Sequence, residues 1–195
     1  MGKNSDCSEY SYSWGHVFPK RFEKWFDKLV LIQDEKVANE WIKDYDFMIR
    51  KLSYWSNNKR ILVKAPGDTA RMTLLLKKYP DAKFIYIHRD PISVFHSNQY
   101  LWKVIQQQNS VQKITDNEIN RLIIKTYRQL LSSYLNQRKH IPTSQLIEVH
   151  FKDIQKDSLK EIRHIYSKLG LGAVPEKEIT SLIVANKSFK PKTYS

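Results

Sequence analysis

Arg89 and Ser97 stand eight residues apart in the stretch KFIYIHRDPISVFHS, residues 83–97, and together they have the donors to grip an anion. Phe84, Ile85, Tyr86 and Ile87 form a β-branched and aromatic run, short enough for a strand covered on both faces. Asp90 suits a helix N-cap, and Pro91 suits the first helical position, where a missing N–H costs nothing. Arg89 is therefore expected at the carboxyl end of a strand, beside a helix N-terminus. Ligands of open α/β sheets bind there, and free N–H groups with the helix dipole favour an anion. Guanidinium adds a planar, permanently charged fork suited to phosphate or sulfate. Positions 90, 93, 94 and 97 share one helical face, and helical side chains lean toward the N-terminus, so the Ser97 hydroxyl points back toward Arg89. A surface ion pair, or a cap on a neighbouring carbonyl, is the structural alternative for Arg89.

The elements that must position this pair follow from periodicity. Residues 1–18 read as loop, and 20–31 as a short helix with Phe22, Trp25, Phe26 and Leu29 at helical spacing. Asp34 caps a helix over 35–55, whose stripe of Val37, Trp41, Tyr45, Met48 and Leu52 reads as core. A strand is expected over 61–64, broken by Ala65–Pro66–Gly67. A helix then starts at Asp68 or Thr69 and runs to Tyr79. With the strand ending at Arg89 this makes a βαβ unit and a parallel pair. Helices over 91–108 and 116–138, a third strand over 145–150, a helix over 158–169 stopped by Gly170, and a last helix over 176–185 complete an α/β pattern. The expectation is one domain, a parallel sheet flanked by helices. Lys64, ending its strand, opens on the same rim as Arg89; a solvent-facing lysine is the alternative. His88 alternates to the opposite face of its strand, toward the core or behind the site. Arg71, one helical turn from Asp68, either pairs with it or faces the anion. His96 takes no role.

Composition bounds the answer. The 195 residues are 41% hydrophobic, enough for a domain with a substantial core. No apolar run approaches the roughly 18 residues of a membrane span, and the polar N-terminus lacks a signal-peptide core. A single cysteine, Cys7, excludes an internal disulfide framework and a cysteine-based zinc site. No metal is expected, and reduced, cytoplasmic surroundings fit best. A formal charge of +13 attracts anions: a nucleotide, an acidic substrate, nucleic acid or a membrane surface.

Arg89 and Ser97 within RDPISVFHS resemble the 3′-phosphate-binding motif of the sulfotransferase family, whose members use 3′-phosphoadenosine 5′-phosphosulfate (PAPS). The preceding ILVKAPGDTARMTLLLKKYPDAKFIYIHRDP is similar to the family's lysine–small–proline strand end, helix, "FPxAKFI" and "RxP". The later LIEVHFKDIQKDSLKEIRHIYSKLGL resembles its strand, "YEDL"-like turn and helix. These matches run from about residue 60 to 171, in family order. The resemblance implies a P-loop-type sulfotransferase architecture and transfer of a sulfuryl group from PAPS to a hydroxyl or amine. The acceptor would be a small molecule, a carbohydrate or a lipid. Arg89 and Ser97 would hold the 3′-phosphate, Phe151 would lie where the family often has a tyrosine near the cofactor, and Lys64 would stabilise the transferring group. The histidine that serves as base in many members is missing; Pro66 stands at its place. Asp68 is the nearby titratable group, open to two readings, base or ordinary N-cap. Lys190 and Lys192 either approach a phosphate or belong to a frayed tail.

One departure stands out. The family's phosphate-cradling loop, of the type proline–basic–Ser–Gly–Thr–Thr, does not occur in this sequence, nor does GxxxxGK[ST]. The expectation is an incomplete fold, N-terminally truncated relative to the family, with weak or absent catalysis by this polypeptide alone. A fragment, an inactive relative, or a loop supplied by a partner chain would each explain it. Two alternatives to catalysis remain: a non-catalytic relic that binds adenosine 3′,5′-bisphosphate or nothing, and a basic nucleic-acid-binding protein. The second is disfavoured because the tryptophans read as core and no nucleic-acid-binding signature is present.

Overall fold

The computed structural model describes residues 14–185. Cys7, Lys190 and Lys192 lie outside them, as does most of the loop expected over 1–18; its last part is a helical turn, α1, Trp14–Val17. The described chain is mostly helical, with one small parallel sheet. It divides into two compact units. The first comprises residues up to Pro80 together with 99–140; the second comprises 81–98 together with the residues from Ile141 onward.

In the first unit a 3-10 turn, Pro19–Arg21, leads into α2, Phe22–Phe26, and a π-helical turn, Asp27–Leu31. Leu29 and Val30 on that turn are almost wholly buried, each worth roughly 1.5–3 kcal/mol of apolar burial. Ile32 ends the turn with φ 41°, an uncommon conformation for a β-branched residue. The helix expected over 35–55 is present as α3, Glu35–Trp55; the Asp34 carboxylate accepts the Val37 N–H at 3.1 Å. Its apolar stripe is core at Trp41 and half-buried at Tyr45, but Met48 and Leu52 are exposed.

The strand expected over 61–64 does not form. Those residues are irregular, and the Leu62 side chain is 86% exposed. A β-branched run becomes a strand only when another strand accepts its backbone hydrogen bonds, and among the described residues none pairs with it. The βαβ unit built on it is corrected accordingly. A 3-10 turn, Pro66–Ala70, follows, then α4, Met72–Lys78. The position before α4 is Arg71, with no side-chain cap, so the N-cap reading of Asp68 is also corrected.

Instead Asp68 and Arg71 form a buried ion pair. Arg71 is 8% exposed. Its Nη2 lies 2.9 Å from Asp68 Oδ1, its Nη1 donates to the Leu29 carbonyl at 3.0 Å, and its guanidinium stacks 4.2 Å from the Trp41 ring centroid. The Tyr45 hydroxyl donates to Asp68 Oδ2 at 3.2 Å. The Leu29 carbonyl is one of those left open where the π-turn ends. Gly67 is required here, because a Cβ at that position would stand 2.5 Å from Arg71 Nη2. α6, Asp116–Gln137, packs on the same turn. Thr115 and Glu118 form a capping box at its start, and at its other end Gln137 donates to the Ala70 carbonyl and accepts from the Thr73 N–H at 3.0 Å. Trp102, in the second half of the helix α5, Pro91–Gln108, stacks edge-on against Phe22 and His16.

In the second unit β1, Phe84–His88, pairs in parallel with β2, Leu146–His150, in the register Phe84 with Leu146 through His88 with His150. The partner of the Arg89 strand is thus the third expected strand, not the first. α7, Phe151–Lys156, follows β2 without a loop, a helix the sequence pattern did not suggest. α8, Ser158–Leu169, ends at Gly170 in the left-handed region (φ 62°), as expected. α9, Glu176–Ala185, is joined to α8 by the two-pronged Arg163–Glu176 pair. Ile165 and Leu169 of α8 pack on Ile147 and Val149 of β2. That cover does not extend to β1, whose Ile85 and Ile87 are exposed; the strand is therefore not buried on both faces.

Arg71→Met strands a buried carboxylate, and we expect it to lower the unfolding free energy by about 3 kcal/mol in urea titrations. Gly67→Ala, which crowds the same guanidinium, is expected to cost about 1–3 kcal/mol. Equal stability of either variant with wild type would contradict this account of the pair.

Candidate active site

The carboxyl ends of β1 and β2 bring two helix N-termini to one rim of the second unit. At the first, Asp90 Oδ2 accepts both the N–H and the hydroxyl of Ser93, each at 2.8 Å. Those two bonds, the backbone one foremost, hold the Asp90 carboxyl below the usual range. This is the expected N-cap, and it fixes the direction in which α5 leaves the strand. Arg89, between strand and cap, is half-buried.

At the second N-terminus the cap is His150, whose Nδ1 accepts the Lys152 N–H at 3.1 Å. Phe151 then becomes the first helical residue, and the Arg89 guanidinium lies 5.3 Å from its ring centroid. A cation over a phenyl face is held without spending its N–H groups, so the guanidinium fork stays available to an anion. His88 and His150, opposite each other in the register, meet edge to face at 4.9 Å, and His88 stacks on Tyr86 at 6.2 Å. His88 is exposed on this rim, not turned toward the core.

Ser97 lies further along α5, half-buried, on the helical face that begins with Asp90 and Ser93. The structure brings Arg89 and Phe151 into contact and sets Ser97 on the helix that Arg89 introduces. Lys64 and Asp68 belong to the first unit. Lys64 is exposed in an irregular segment, not at a strand end. Asp68 is engaged by Arg71 and Tyr45; burial pushes its carboxyl up from the usual value, against the opposing pull of Arg71 and the two hydrogen bonds. Burial, and after it the same carboxylate, raises the Tyr45 hydroxyl well above its ordinary range. Sequence reasoning missed His150 as a cap and the His88–His150 contact; the contact follows from the β1–β2 register, and the cap from α7 beginning directly after β2. Among the described residues no cluster of metal-ligating side chains occurs.

A model of the sulfotransferase family matches residues 10–176. The chain belongs to the sulfotransferase family. Two curated relatives, each named omega-hydroxy-beta-dihydromenaquinone-9 sulfotransferase Stf3, come from Mycobacterium bovis and Mycobacterium tuberculosis. Each is 28% identical over 156 residues, which cover 80% of this chain and 40% of the relative. The chain thus spans about two-fifths of the length of these relatives. The crystal structure of sulfotransferase STF9 from Mycobacterium avium superposes with a TM-score of 0.75 at 20% identity, over 95% of this chain and 47% of that one. The fold is that of a sulfotransferase, as the sequence resemblance implied.

Within this sulfotransferase fold, the Asp90 cap sets how α5 presents Ser97. Its lowered carboxyl contributes stability above the unfolded-state value, and the contribution is lost as pH falls through the folded-state value. Asp90→Ala is accordingly expected to unfold at lower temperature than wild type near neutral pH, with the gap closing in acid. A gap that stays constant across that range would contradict the cap's role.

Proposed function

We propose that this chain carries the 3′-phosphate-binding half of a sulfotransferase site that takes PAPS. Arg89 carries the reading: a half-buried guanidinium, seated on the Phe151 ring between two parallel strands and a capped helix N-terminus. Arg89 would bind the 3′-phosphate with its free fork, and Ser97 would add a hydroxyl from α5. The half-buried Phe151 ring would stack on the adenine. PAPS supplies the sulfuryl group; the acceptor is a hydroxyl or amine. The name of the mycobacterial relatives, with its omega-hydroxy quinone, supports a hydroxyl on a lipid-like acceptor over a carbohydrate or small alcohol.

Lys64, exposed and cationic, suits a stabiliser of the bridging oxygen in transfer. Asp68 has both oxygens committed, to Arg71 and Tyr45, which supports a part in holding the Pro66–Ala70 turn over that of a base. A second reading, nucleotide binding without turnover, is favoured by the lack of a proline–basic–Ser–Gly–Thr–Thr loop in the sequence; a partner chain supplying it would restore the 5′ cradle. No helix among the described residues is long and apolar enough to cross a membrane. Trp41 and Trp102 are buried, which favours packing over base stacking for these two.

Calorimetry with adenosine 3′,5′-bisphosphate tests the site. Binding is expected, and Arg89→Ala should weaken it about tenfold or more, the worth of one charge-assisted hydrogen bond. Adenosine 5′-monophosphate, lacking the 3′-phosphate, should bind more weakly and be indifferent to that substitution. Bisphosphate binding unchanged by Arg89→Ala would overturn the assignment. Sulfuryl transfer from PAPS by the purified chain separates enzyme from binder.

A further inference from the structure

The outer face of α3 carries a surface that the sulfotransferase reading does not use. From residue 47 to 63 the sequence contains Arg50, Lys51, Lys59 and Arg60 and not one Asp or Glu. Phe47, Arg50, Lys51 and Tyr54 recur at three- and four-residue steps, one stripe of the helix turned away from buried Trp41, and Trp55 follows as the last helical residue. Phe47 is 62% exposed, Tyr54 81% and Trp55 69%. Beyond the helix, Asn57 and Asn58 adopt left-handed conformations, and the Asn58 N–H returns to the Ser53 carbonyl at 2.9 Å. This turn brings Lys59 and Arg60, then exposed Leu62 and Val63, directly after the helix end. Arg50 is partly compensated by Asp46, 2.8 Å away; Lys51 lies 5.1 Å from the Trp55 ring centroid.

We propose that residues 47–63 dock this protein on the surface of an anionic lipid bilayer. Aromatic rings of Trp and Tyr settle at the headgroup level, aliphatic side chains enter the acyl boundary, and lysine and arginine stems snorkel outward to lipid phosphates. Charge complementarity selects this occupant. A second copy meeting the same face would set these cations against their own kind. Single-stranded nucleic acid would use the rings and the cations but gives no partner to the exposed Leu62, Val63, Met48 and Leu52. The docking does not depend on PAPS binding or on which acceptor is used.

Sedimentation of the full chain with vesicles tests it. Vesicles of phosphatidylcholine with about one-third phosphatidylglycerol should carry the protein down, and pure phosphatidylcholine vesicles should not. Trp55 should shift its emission to the blue on binding. Trp55→Ser with Tyr54→Ser should weaken partitioning, and Lys51→Glu with Lys59→Glu should weaken it about tenfold or more. All four side chains are exposed, and thermal unfolding checks that both variants stay folded. Binding indifferent to phosphatidylglycerol, equal binding by the variants, or no binding to either vesicle would overturn the proposal. So would a Trp55-dependent dimer or RNA complex formed in place of vesicle binding. Bisphosphate calorimetry on the same variants reads the nucleotide site separately, so failure of one reading leaves the other standing.

Discussion

A guanidinium cannot shed its proton, so burying one commits everything around it. Arg71 is the buried cation among the described residues of the first unit, and three separate segments bend to satisfy it. The π-turn before Ile32 leaves the Leu29 carbonyl unspent by the helix. The stripe of α3 offers Trp41 as a flat counter-surface. Asp68 supplies the charge, and Tyr45 takes that carboxylate's second oxygen. Gly67 keeps the space empty. Each of these would be unremarkable alone; together they explain why the chain breaks into a 3-10 turn at Pro66 and does not run straight into α4. The net worth of such a pair is modest once desolvation is counted. Its consequence is geometric: it decides where the segment bearing Lys64 must end.

Helices were largely legible, because their signals are local. Asp34 before an amphipathic run, Pro91 after Asp90, and Gly170 after Leu169 each mark a boundary that the chain respects. What was not local was not legible. Residues 61–64 have the β-branched content of a strand, yet strand formation depends on a partner, and the hydrogen-bonded pair is β1 with β2, distant in sequence. α7 escaped notice because its cap is a histidine, which competes poorly with Ser, Thr or Asp as a sequence signal. The apolar stripe of α3 ran longer in sequence than in burial, since periodicity cannot say where a helix outruns the core it packs on.

The candidate site divides along the same line. Arg89 and its junction were readable from a strand run, an aspartate and a proline in succession. Ser97 followed from helical periodicity. Phe151 entered only through resemblance, and the register of β1 with β2 supplies the physical reason it lies against Arg89. Asp68 shows the opposite case. Read from sequence it was the one titratable group near a lysine, open to chemistry; its partners Tyr45 and Arg71 sit 23 residues before it and three after, and the first of these left no local trace.

The division of the chain bears on its synthesis. The second unit is assembled from residues 81–98 and from those beyond 141, with the intervening stretch belonging to the first unit. A ribosome therefore releases β1 before β2, and the earlier strand must wait, its backbone N–H and C=O groups without their β2 partners, until Leu146–His150 has been made. Closing so long a loop costs only a slowly growing entropy, but it delays the parallel pair until β2 has been made. For a nascent chain of this kind, the interval between the two strands leaves a strand edge open to chaperones and to mispairing.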